Sequence, residues 1–310
     1  MKVVLFCGGM GMRIRPLGPN AQGPTPSNED LPKPMVHIGS QRPLIWHVMK
    51  YYAHFGHTDF VLCLGHKADV IKRYFLEYDE CLSNDFVLSG GGERVELLNS
   101  DIHDWRITFA DTGPSSPIGE RLRQARPHLE GEEMFLANYS DCLTDMNLDT
   151  CLDHFEERDR IAGLVTVVPA VSQHYVTATD GIVTALTGAR STPLRVNGGF
   201  FVFRQSIFDY LEEGDEMVDA PFQRLIRERQ LVSYEYDGFW KGMDTFKDKQ
   251  QFDELFAAGD PPWALWCRGQ PLPRPGSTPL PQPRRRRRSR IRPGVPASVR
   301  STDGITDALA

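Results

Sequence analysis

The sequence predicts an α/β fold built on a mainly parallel β-sheet. Short apolar runs alternate with stretches whose apolar residues recur at helical spacing, and this unit occurs four times in the first half of the chain. The runs at 3–6, 59–64 and 134–138 contain few polar residues, which is typical of strands buried on both faces. With 310 residues and a hydrophobic share of 40%, the chain can bury such a sheet.

Each element follows from its local pattern. The run Val3–Phe6 ends in glycines and predicts the first strand, and Pro43 predicts the start of a helix that ends near Gly56. The first half continues with strands at 59–64, 105–109 and 134–138 and helices at 68–78 and 118–126. The second half predicts strands at 164–168, 175–179, 182–186, 197–204 and 231–236 and helices at 220–229 and 245–255.

The composition divides the chain into a domain over residues 1–268 and a Pro/Arg-rich, disordered tail over 269–310. Residues 271–310 contain nine arginines and two aspartates, which gives this segment a charge of +7. Since the whole chain carries −6, residues 1–270 carry −13. Such a tail can attract nucleic acid, anionic lipid or the acidic body, but a solvated charge run without a partner is the favoured interpretation. Nucleic acid is therefore not an expected partner.

The cysteines and the N-terminus exclude several classes of protein. The six cysteines form no C-x-x-C pair and have no histidine at zinc spacing, so neither a disulfide framework nor a structural zinc site is predicted. The apolar run after Lys2 is too short for a signal peptide, and no stretch approaches membrane-spanning length. We therefore expect no membrane partner and a cytoplasmic location.

A glycine cluster follows the first predicted strand. Gly8, Gly9 and Gly11 would let backbone amides approach an anion closely because they carry no side chain. Arg13 adds a planar fork suited to phosphate oxygens, and Lys33, between two prolines, adds a second positive charge on a stiff segment. Together these residues predict a site that grips a polyphosphate.

The spacing of these glycines fits neither of two common nucleotide-binding motifs. Ile14 stands where a dinucleotide-binding fingerprint requires glycine, and Met12-Arg13 stand where a P-loop requires Gly-Lys-Ser/Thr. A nicotinamide-dependent oxidoreductase is thus disfavoured. A merely structural turn between strand and helix stays open as the alternative interpretation of the cluster.

Two carboxylates stand at predicted element ends. Asp141 follows a buried strand and Asp244 precedes the last helix, and the carboxyl ends of parallel strands should also bring Gly8, Gly65 and Asp111 to the same edge of the sheet. A pair of acids beside a cationic phosphate site can hold Mg²⁺ against a nucleoside triphosphate. The alternative is structural, with Asp244 capping its helix and Asp141 satisfying a turn.

Seven motifs occur in order between Met1 and about Trp266. They are Gly8-Gly9-x-Gly-x-Arg13, Pro32-Lys33-Pro34-Met35, Gly65-His66-Lys67, Asp111-Thr112-Gly113, Asn197-Gly198-Gly199-Phe200-Phe201, Phe239-Trp240 and Met243-Asp244-Thr245. As a set they resemble the sugar nucleotidyltransferases, and among these most of all the glucose-1-phosphate cytidylyltransferases. The resemblance implies a three-layer, Rossmann-like nucleotidyltransferase domain of the glycosyltransferase-A type, with a mixed, mainly parallel sheet.

The resemblance also implies an activity and a set of site residues. The expected reaction joins a nucleoside triphosphate, CTP in the first place, to a sugar 1-phosphate such as α-D-glucose 1-phosphate, and releases pyrophosphate. A homo-oligomer is also favoured. The resemblance implies Arg13 and Lys33 as catalytic residues on the phosphates, Asp141 and Asp244 as Mg²⁺ ligands, and substrate contacts from Gly8, Gly9, Gly11, Asp111, Thr112, Gly113, Asn197 and Gly198.

Three positions depart from the family pattern, and at one of them Asp219 is the nearest acid to the Pro221-Phe222 pair, where relatives carry an acidic residue directly before the pair. Many members carry a Glu-Lys-Pro whose lysine meets the sugar phosphate, whereas this chain has Thr187-Gly188-Ala189, with Arg190 or Arg195 as the available replacement charge. Where relatives have Gly-Asp-Gly the chain has Ser140-Asp141-Cys142, which we expect to place two side chains beside the nucleotide. A relative that binds a nucleotide sugar without turnover is therefore the alternative function.

Overall fold

A computed structural model describes residues 1–9, 31–39, 42–169, 174–188 and 191–267. The strands are β1 (Lys2–Phe6), β2 (Asp59–Leu64), β3 (Phe86–Ser89), β4 (Arg94–Leu97), β5 (Arg106–Asp111), β6 (Met134–Asn138), β7 (Cys142–Thr144), β8 (Ala162–Val167), β9 (His174–Thr179), β10 (Ile182–Gly188), β11 (Val196–Arg204), β12 (Leu231–Tyr236) and β13 (Trp240–Gly242). The helices are α1 (Leu44–His54), α2 (Ala68–Leu76), α3 (Ile118–Ala125), α4 (Leu148–Arg158), α5 (Ala220–Arg227) and α6 (Phe246–Ala257).

Seven strands form one sheet in the order β12-β8-β11-β6-β1-β2-β5. Strand β1 pairs in parallel with β2 and β6, β2 pairs in parallel with β5, and β8 pairs in parallel with β12. Strand β11 runs antiparallel to both of its neighbours, β6 and β8. The predicted α/β fold with a mixed, mainly parallel sheet is confirmed, and strands from the second half of the chain extend the sheet begun by the first.

The central strands are apolar on both faces because helices cover both sides of the sheet. Val3 and Leu5 of β1 pack into one core with residues of α1, α4 and α6, whereas Val4 and Phe6 pack into a second core with residues of α3 and α5. This alternation follows from the two-residue repeat of a strand. The two cores clamp the sheet from either side and fix the positions of its strand ends.

The pattern analysis missed some short elements and one helix. Strands β3, β4, β7 and β13 form two-stranded sheets outside the main one. Helix α4 was not predicted, although Asn147 caps it by accepting a hydrogen bond from the amide of Thr150 at 3.0 Å. Its buried residues Leu148, Cys151 and Phe155 have helical spacing. The signal was present in the sequence, between two more obvious strands.

All six cysteines are free thiols, and Cys7, Cys63, Cys142 and Cys151 are buried. In the part of the chain that the structure describes, no helix combines the length and apolarity needed to cross a membrane.

His47 of α1 is a buried histidine whose protonation opposes folding. It is 2% exposed and accepts a hydrogen bond at Nδ1 from Trp263 Nε1 at 3.4 Å. Burial lowers the pKa of His47 from 6.5 to about 3, although a hydrogen bond with the backbone of Ile38 opposes the shift. The folded protein therefore keeps His47 neutral between these pH values, while the unfolded chain binds a proton there.

The free energy of unfolding should consequently decrease with acidification below pH 6.5, by about 1.4 kcal/mol per pH unit from this group alone. When the pH is lowered from 7.5 to 5.0, the free energy of unfolding of the native protein should fall by about 2 kcal/mol more than that of His47→Gln. The reason is that glutamine takes up no proton in either the folded or the unfolded state. Urea unfolding at the two pH values measures the difference. His54→Gln, at an exposed position of the same helix, serves as the control and should keep the native pH dependence. Equal pH dependence in His47→Gln and the native protein would contradict the prediction.

Candidate active site

Lys33 lies between two carboxylates from distant parts of the chain. Its Nζ donates to Asp141 Oδ2 at 2.6 Å and to Asp244 Oδ1 at 2.7 Å. The flanking residues Pro32 and Pro34 hold the backbone of Lys33 at the start of a short 3₁₀ turn. Burial by itself lowers the pKa of Lys33, but the two carboxylates outweigh it and raise the pKa above its usual value. Lys33 is therefore a fixed ammonium ion at this site.

A small sheet brings the two acids together. Strands β7 and β13 pair antiparallel, and the amide of Met243 donates to the carbonyl of Asp141 at 2.8 Å. Asp244 follows Met243 directly, so its side chain reaches the same lysine. The cap of α6 is Thr245, which forms a capping box with Asp248. The structural alternative for Asp244 is wrong, because Thr245 caps the helix and the Asp244 carboxylate binds Lys33.

A buried arginine that the pattern analysis missed ties together the loops after β1, β2 and β5. Arg121 of α3 is 2% exposed and donates to the carbonyls of Gly8 and Leu64, each at 3.2 Å, and to Thr112 Oγ1 at 2.8 Å. One guanidinium group thus holds three loops at one edge of the sheet. The sequence does contain a signal for this arginine, because Arg121 stands one helical turn after Ile118 and so falls on the apolar face of the predicted helix.

Arg121 also gives a physical reason for glycine at position 8. A Cβ atom at Gly8 would lie 2.0 Å from Arg121 Nη1, which no real side chain tolerates. Gly8 is buried, whereas Gly9 is exposed and has open space around it. Glycine at position 8 therefore lets the guanidinium keep this place, whereas a larger residue would force the Arg121 side chain to move, a reason the sequence did not reveal. Gly11 and Arg13 lie outside the described residues.

The three predicted residues at the end of β5 and directly after it occupy different environments. Thr112 is 1% exposed, and its hydroxyl donates to the carbonyl of Leu64 at 2.8 Å while accepting from Arg121. Asp111 is exposed and accepts a hydrogen bond from the amide of Gly113 at 3.1 Å. The side chain of Thr112 is thus engaged inside the protein, and the substrate contacts assigned to these residues stay predictions.

The Asn197-Gly198 segment is held beside Asp141 by two aromatic residues. Asn197 Nδ2 donates to the hydroxyl of Tyr139 at 3.2 Å, and Trp240 Nε1 donates to the carbonyl of Gly198 at 2.8 Å. Tyr139 precedes Asp141 by two residues, and Trp240 begins the strand that leads to Asp244. The segment is therefore hydrogen-bonded to the two stretches of chain that carry the acids, and Tyr139 is a residue that the pattern analysis missed.

The side chains that flank Asp141 are buried. Ser140 is 1% exposed and its hydroxyl donates to the carbonyl of Phe6 at 2.7 Å, while Cys142 is 2% exposed and its Sγ donates to the carbonyl of Gly198 at 3.3 Å. That both side chains stand beside the nucleotide stays a prediction. Each side chain makes a hydrogen bond within the fold, and Asp141 between them is half-buried.

The chain is similar in sequence to known proteins over most of its length. The chain matches no protein-family model. It is 34% identical over 269 residues to a Bacillus subtilis (strain 168) protein named probable glucose-1-phosphate cytidylyltransferase, covering 86% of this chain and all of that protein. It is 32% identical over 270 residues to the glucose-1-phosphate cytidylyltransferase of Salmonella typhimurium, with the same two coverages. The chain belongs to the sugar nucleotidyltransferase family.

Solved structures agree on the fold of this nucleotidyltransferase. A candidate glucose-1-phosphate thymidylyltransferase from Bacillus anthracis matches with a TM-score of 0.56 and 14% identity, covering 83% of this chain and 95% of that one. The crystal structure of HddC from Yersinia pseudotuberculosis matches with a TM-score of 0.54 and 16% identity, covering 82% and 99%. At these identities the likeness supports the fold alone.

Arg195 of this nucleotidyltransferase is held in ion pairs. It is therefore not a free positive charge that could replace the lysine of the missing Glu-Lys-Pro motif. Arg195 donates to Asp237 Oδ1 at 2.7 Å and pairs with Glu235 at 3.1 Å, and it also donates to the carbonyl of Tyr236 at 3.3 Å. These contacts bind it to the end of β12. Arg190 lies outside the described residues.

The chemistry of the two carboxylates of the nucleotidyltransferase is compatible with a magnesium ion that also has phosphate ligands. Within the described residues no group of three His, Cys, Asp or Glu side chains could hold a metal ion by itself. Two carboxylates are nevertheless a typical protein contribution to a Mg²⁺ site, because this ion completes its shell with phosphate oxygens and water. The ammonium of Lys33 already contacts both Asp141 and Asp244, so one cation can be reached by both acids.

Proposed function

We propose that the chain transfers a cytidylyl group from CTP to α-D-glucose 1-phosphate, giving CDP-glucose and pyrophosphate in a Mg²⁺-dependent reaction. The observation that carries the proposal is the contact of Lys33 with both Asp141 and Asp244 beside the carboxyl end of β6. The names of the relatives from Bacillus subtilis and Salmonella typhimurium support cytosine as the base and glucose as the sugar.

The chemistry requires alignment and charge neutralisation more than proton transfer. An ionised phosphate oxygen of the sugar phosphate attacks the α-phosphorus of CTP, a new P–O bond forms, and the bond from the α-phosphorus to the bridging oxygen breaks as pyrophosphate leaves. No base is needed because the nucleophile is already an anion. The protein must hold two anions in line and offset their charge.

Lys33, the two acids and Arg121 have different roles in that scheme. Lys33 supplies a positive charge whose backbone is fixed by two prolines, and it would contact the phosphates once the substrates enter. Asp141 and Asp244 would hold Mg²⁺, which supplies Lewis-acid stabilisation of the phosphate oxygens when bound. Arg121 orders the loops that carry Gly8 and Thr112, so that their backbone groups keep one orientation.

Purified protein should release pyrophosphate from CTP and glucose 1-phosphate in the presence of Mg²⁺, and the sugar nucleotide should appear in equal amount. The assay crosses CTP, UTP, ATP and dTTP with several sugar 1-phosphates and follows both products. The highest kcat/KM should fall on CTP with glucose 1-phosphate. Failure to release pyrophosphate from any pair would overturn the proposal.

A binding role without turnover is the second candidate. It is favoured by the absence of the Glu-Lys-Pro lysine, since Thr187 and Gly188 occupy its place in β10, and by the ion pairs that engage Arg195. Calorimetric titration with CTP and with CDP-glucose separates the two functions. A nucleotide that binds while no pyrophosphate appears would support the binding role.

We also propose that the protein works in the cytoplasm, where nucleoside triphosphates are available.

We further propose that the protein is a homo-oligomer. Two hairpins expose apolar side chains, among them Leu88 at 59% and Val95 at 53% in the β3–β4 hairpin and Ile182 at 71% and Leu186 at 67% in the β9–β10 hairpin. Two-stranded hairpins are marginally stable in water by themselves, and contiguous exposed apolar surface is typical of interfaces. Light scattering coupled to size-exclusion chromatography gives the oligomeric state directly, and a monomer would contradict this proposal.

A further inference from the structure

Ser140 has an unusual backbone conformation at the centre of the candidate site. Its φ is +60°, in the left-handed region that residues other than glycine seldom adopt, and it is 1% exposed. A non-glycine residue keeps such a conformation only when its surroundings impose it. Ser140 directly precedes Asp141, so whatever fixes the backbone of Ser140 also fixes the direction in which the Asp141 side chain leaves the chain.

Two hydrogen bonds impose the conformation. The amide of Ser140 donates to Asn138 Oδ1 at 2.6 Å, and the hydroxyl donates to the carbonyl of Phe6 at 2.7 Å. Strands β1 and β6 are parallel neighbours, with Leu5 opposite Asn138. The serine hydroxyl therefore ties the loop that follows β6 to the end of β1 just beyond the last paired residues of the two strands.

The residues after Ser140 are anchored as well. The carbonyl of Asp141 accepts from the amide of Met243 at 2.8 Å, and Cys142 begins β7 with its Sγ bonded to the carbonyl of Gly198. The backbone of Asp141 is thus held from both sides, while its carboxylate reaches Lys33. Without the Ser140 hydroxyl, the backbone before Asp141 would lose its hydrogen bond to Phe6 at the end of β1.

We infer that Ser140 is a positioning residue for the metal site: its hydroxyl bond to Phe6 and its restricted backbone hold the Asp141 carboxylate in the orientation that binds the divalent cation. The inference rests on the proposed Mg²⁺ role of Asp141 and extends it to a residue that touches neither metal nor substrate. A carboxylate whose backbone is already ordered loses less freedom when it binds a metal ion, so affinity for the ion is higher.

Two substitutions separate the contributions. Ser140→Gly removes the hydroxyl and frees the backbone, and it keeps the fold because glycine adopts a φ of +60° without strain. Ser140→Ala removes the hydroxyl but keeps the restricted backbone. Asp180→Gly is the matched control, since Asp180 has a φ of +54° in the exposed turn between β9 and β10, remote in sequence from the acids.

The primary measurement is Mn²⁺ binding to the full chain by electron paramagnetic resonance, with a saturating non-hydrolysable CTP analogue present and Mn²⁺ binding to the analogue alone subtracted. The dissociation constant for Mn²⁺ should rise about fivefold to tenfold in Ser140→Gly and about threefold in Ser140→Ala, as expected for the loss of one hydrogen bond and of backbone order. Asp180→Gly should bind as the native protein does. In turnover assays the Mg²⁺ concentration for half-maximal rate should rise by the same factors, while kcat at saturating Mg²⁺ should change less than twofold.

The outcomes distinguish this inference from the function on which it rests. Native-like Mn²⁺ binding in Ser140→Gly, together with loss of binding in Asp141→Asn, would overturn the role of Ser140 and leave the metal site standing. Absence of Mn²⁺ binding in the native protein would overturn both. A lowered kcat at saturating metal with unchanged Mn²⁺ affinity would also overturn the inference, since it would give Ser140 a different role. If Ser140→Ala does not fold, Ser140→Gly carries the test alone.

Discussion

Replacing Asp244 by asparagine should lower kcat by about two to three orders of magnitude, the usual cost of losing one electrostatic group at a reacting centre. The Asp244 side chain is 59% exposed and caps no helix, so the fold does not depend on its charge. Asparagine keeps the shape of the side chain but removes the negative charge that would hold Mg²⁺ with Asp141. Asp141→Asn should cause a loss of similar size for the same reason.

The measurement is the steady-state rate of pyrophosphate release, with circular dichroism and urea unfolding to confirm the native fold of each variant. Asp149→Asn is the matched control, because Asp149 is an exposed aspartate in the first turn of α4. It should retain the native rate. An Asp244→Asn protein that turns over at the native rate would refute the role of Asp244 in metal binding and transition-state stabilisation.

Arg121→Met should raise the KM for CTP by about a hundredfold, because loops that shift by as little as one ångström can cost that factor in an aligned reaction. Methionine has a similar length and fills the buried space, but it donates no hydrogen bond. The carbonyl of Gly8 would lose this donor, whereas the carbonyl of Leu64 would keep its hydrogen bonds from Thr112, and the free energy of unfolding should fall by about 2 kcal/mol. Urea unfolding and CTP kinetics measure the two effects.

Arg121→Lys tests whether the positive charge at position 121 is enough or whether the planar shape of the guanidinium is needed. Lysine restores the positive charge, but a single ammonium lacks the planar fork that reaches Gly8, Leu64 and Thr112 together. We expect it to recover part of the stability and little of the CTP affinity. Native KM and stability in Arg121→Met would show that the three loops keep their positions without the guanidinium.

Local patterns determined most of the sheet. The buried runs of β1, β2 and β6 were apparent as unbroken apolar segments, because a strand covered on both faces has no solvent side to mark with polar residues. The same reasoning placed Gly8, Asp111 and Asp141 at or just beyond strand ends. The short strands β7 and β13 could not be predicted, since three residues are too few for a pattern and their pairing joins distant segments.

By itself, the sequence of this nucleotidyltransferase determined the α/β class, the two acids and the lysine between prolines, because these depend on residue type and short-range spacing. Only the tertiary structure decided that Lys33 contacts both acids, that Arg121 joins three loops, and that Ser140 is buried against β1. The physical reason is that each of these contacts joins segments brought together by the sheet, and a hydrogen bond across such a distance in the chain leaves no periodic trace in the sequence.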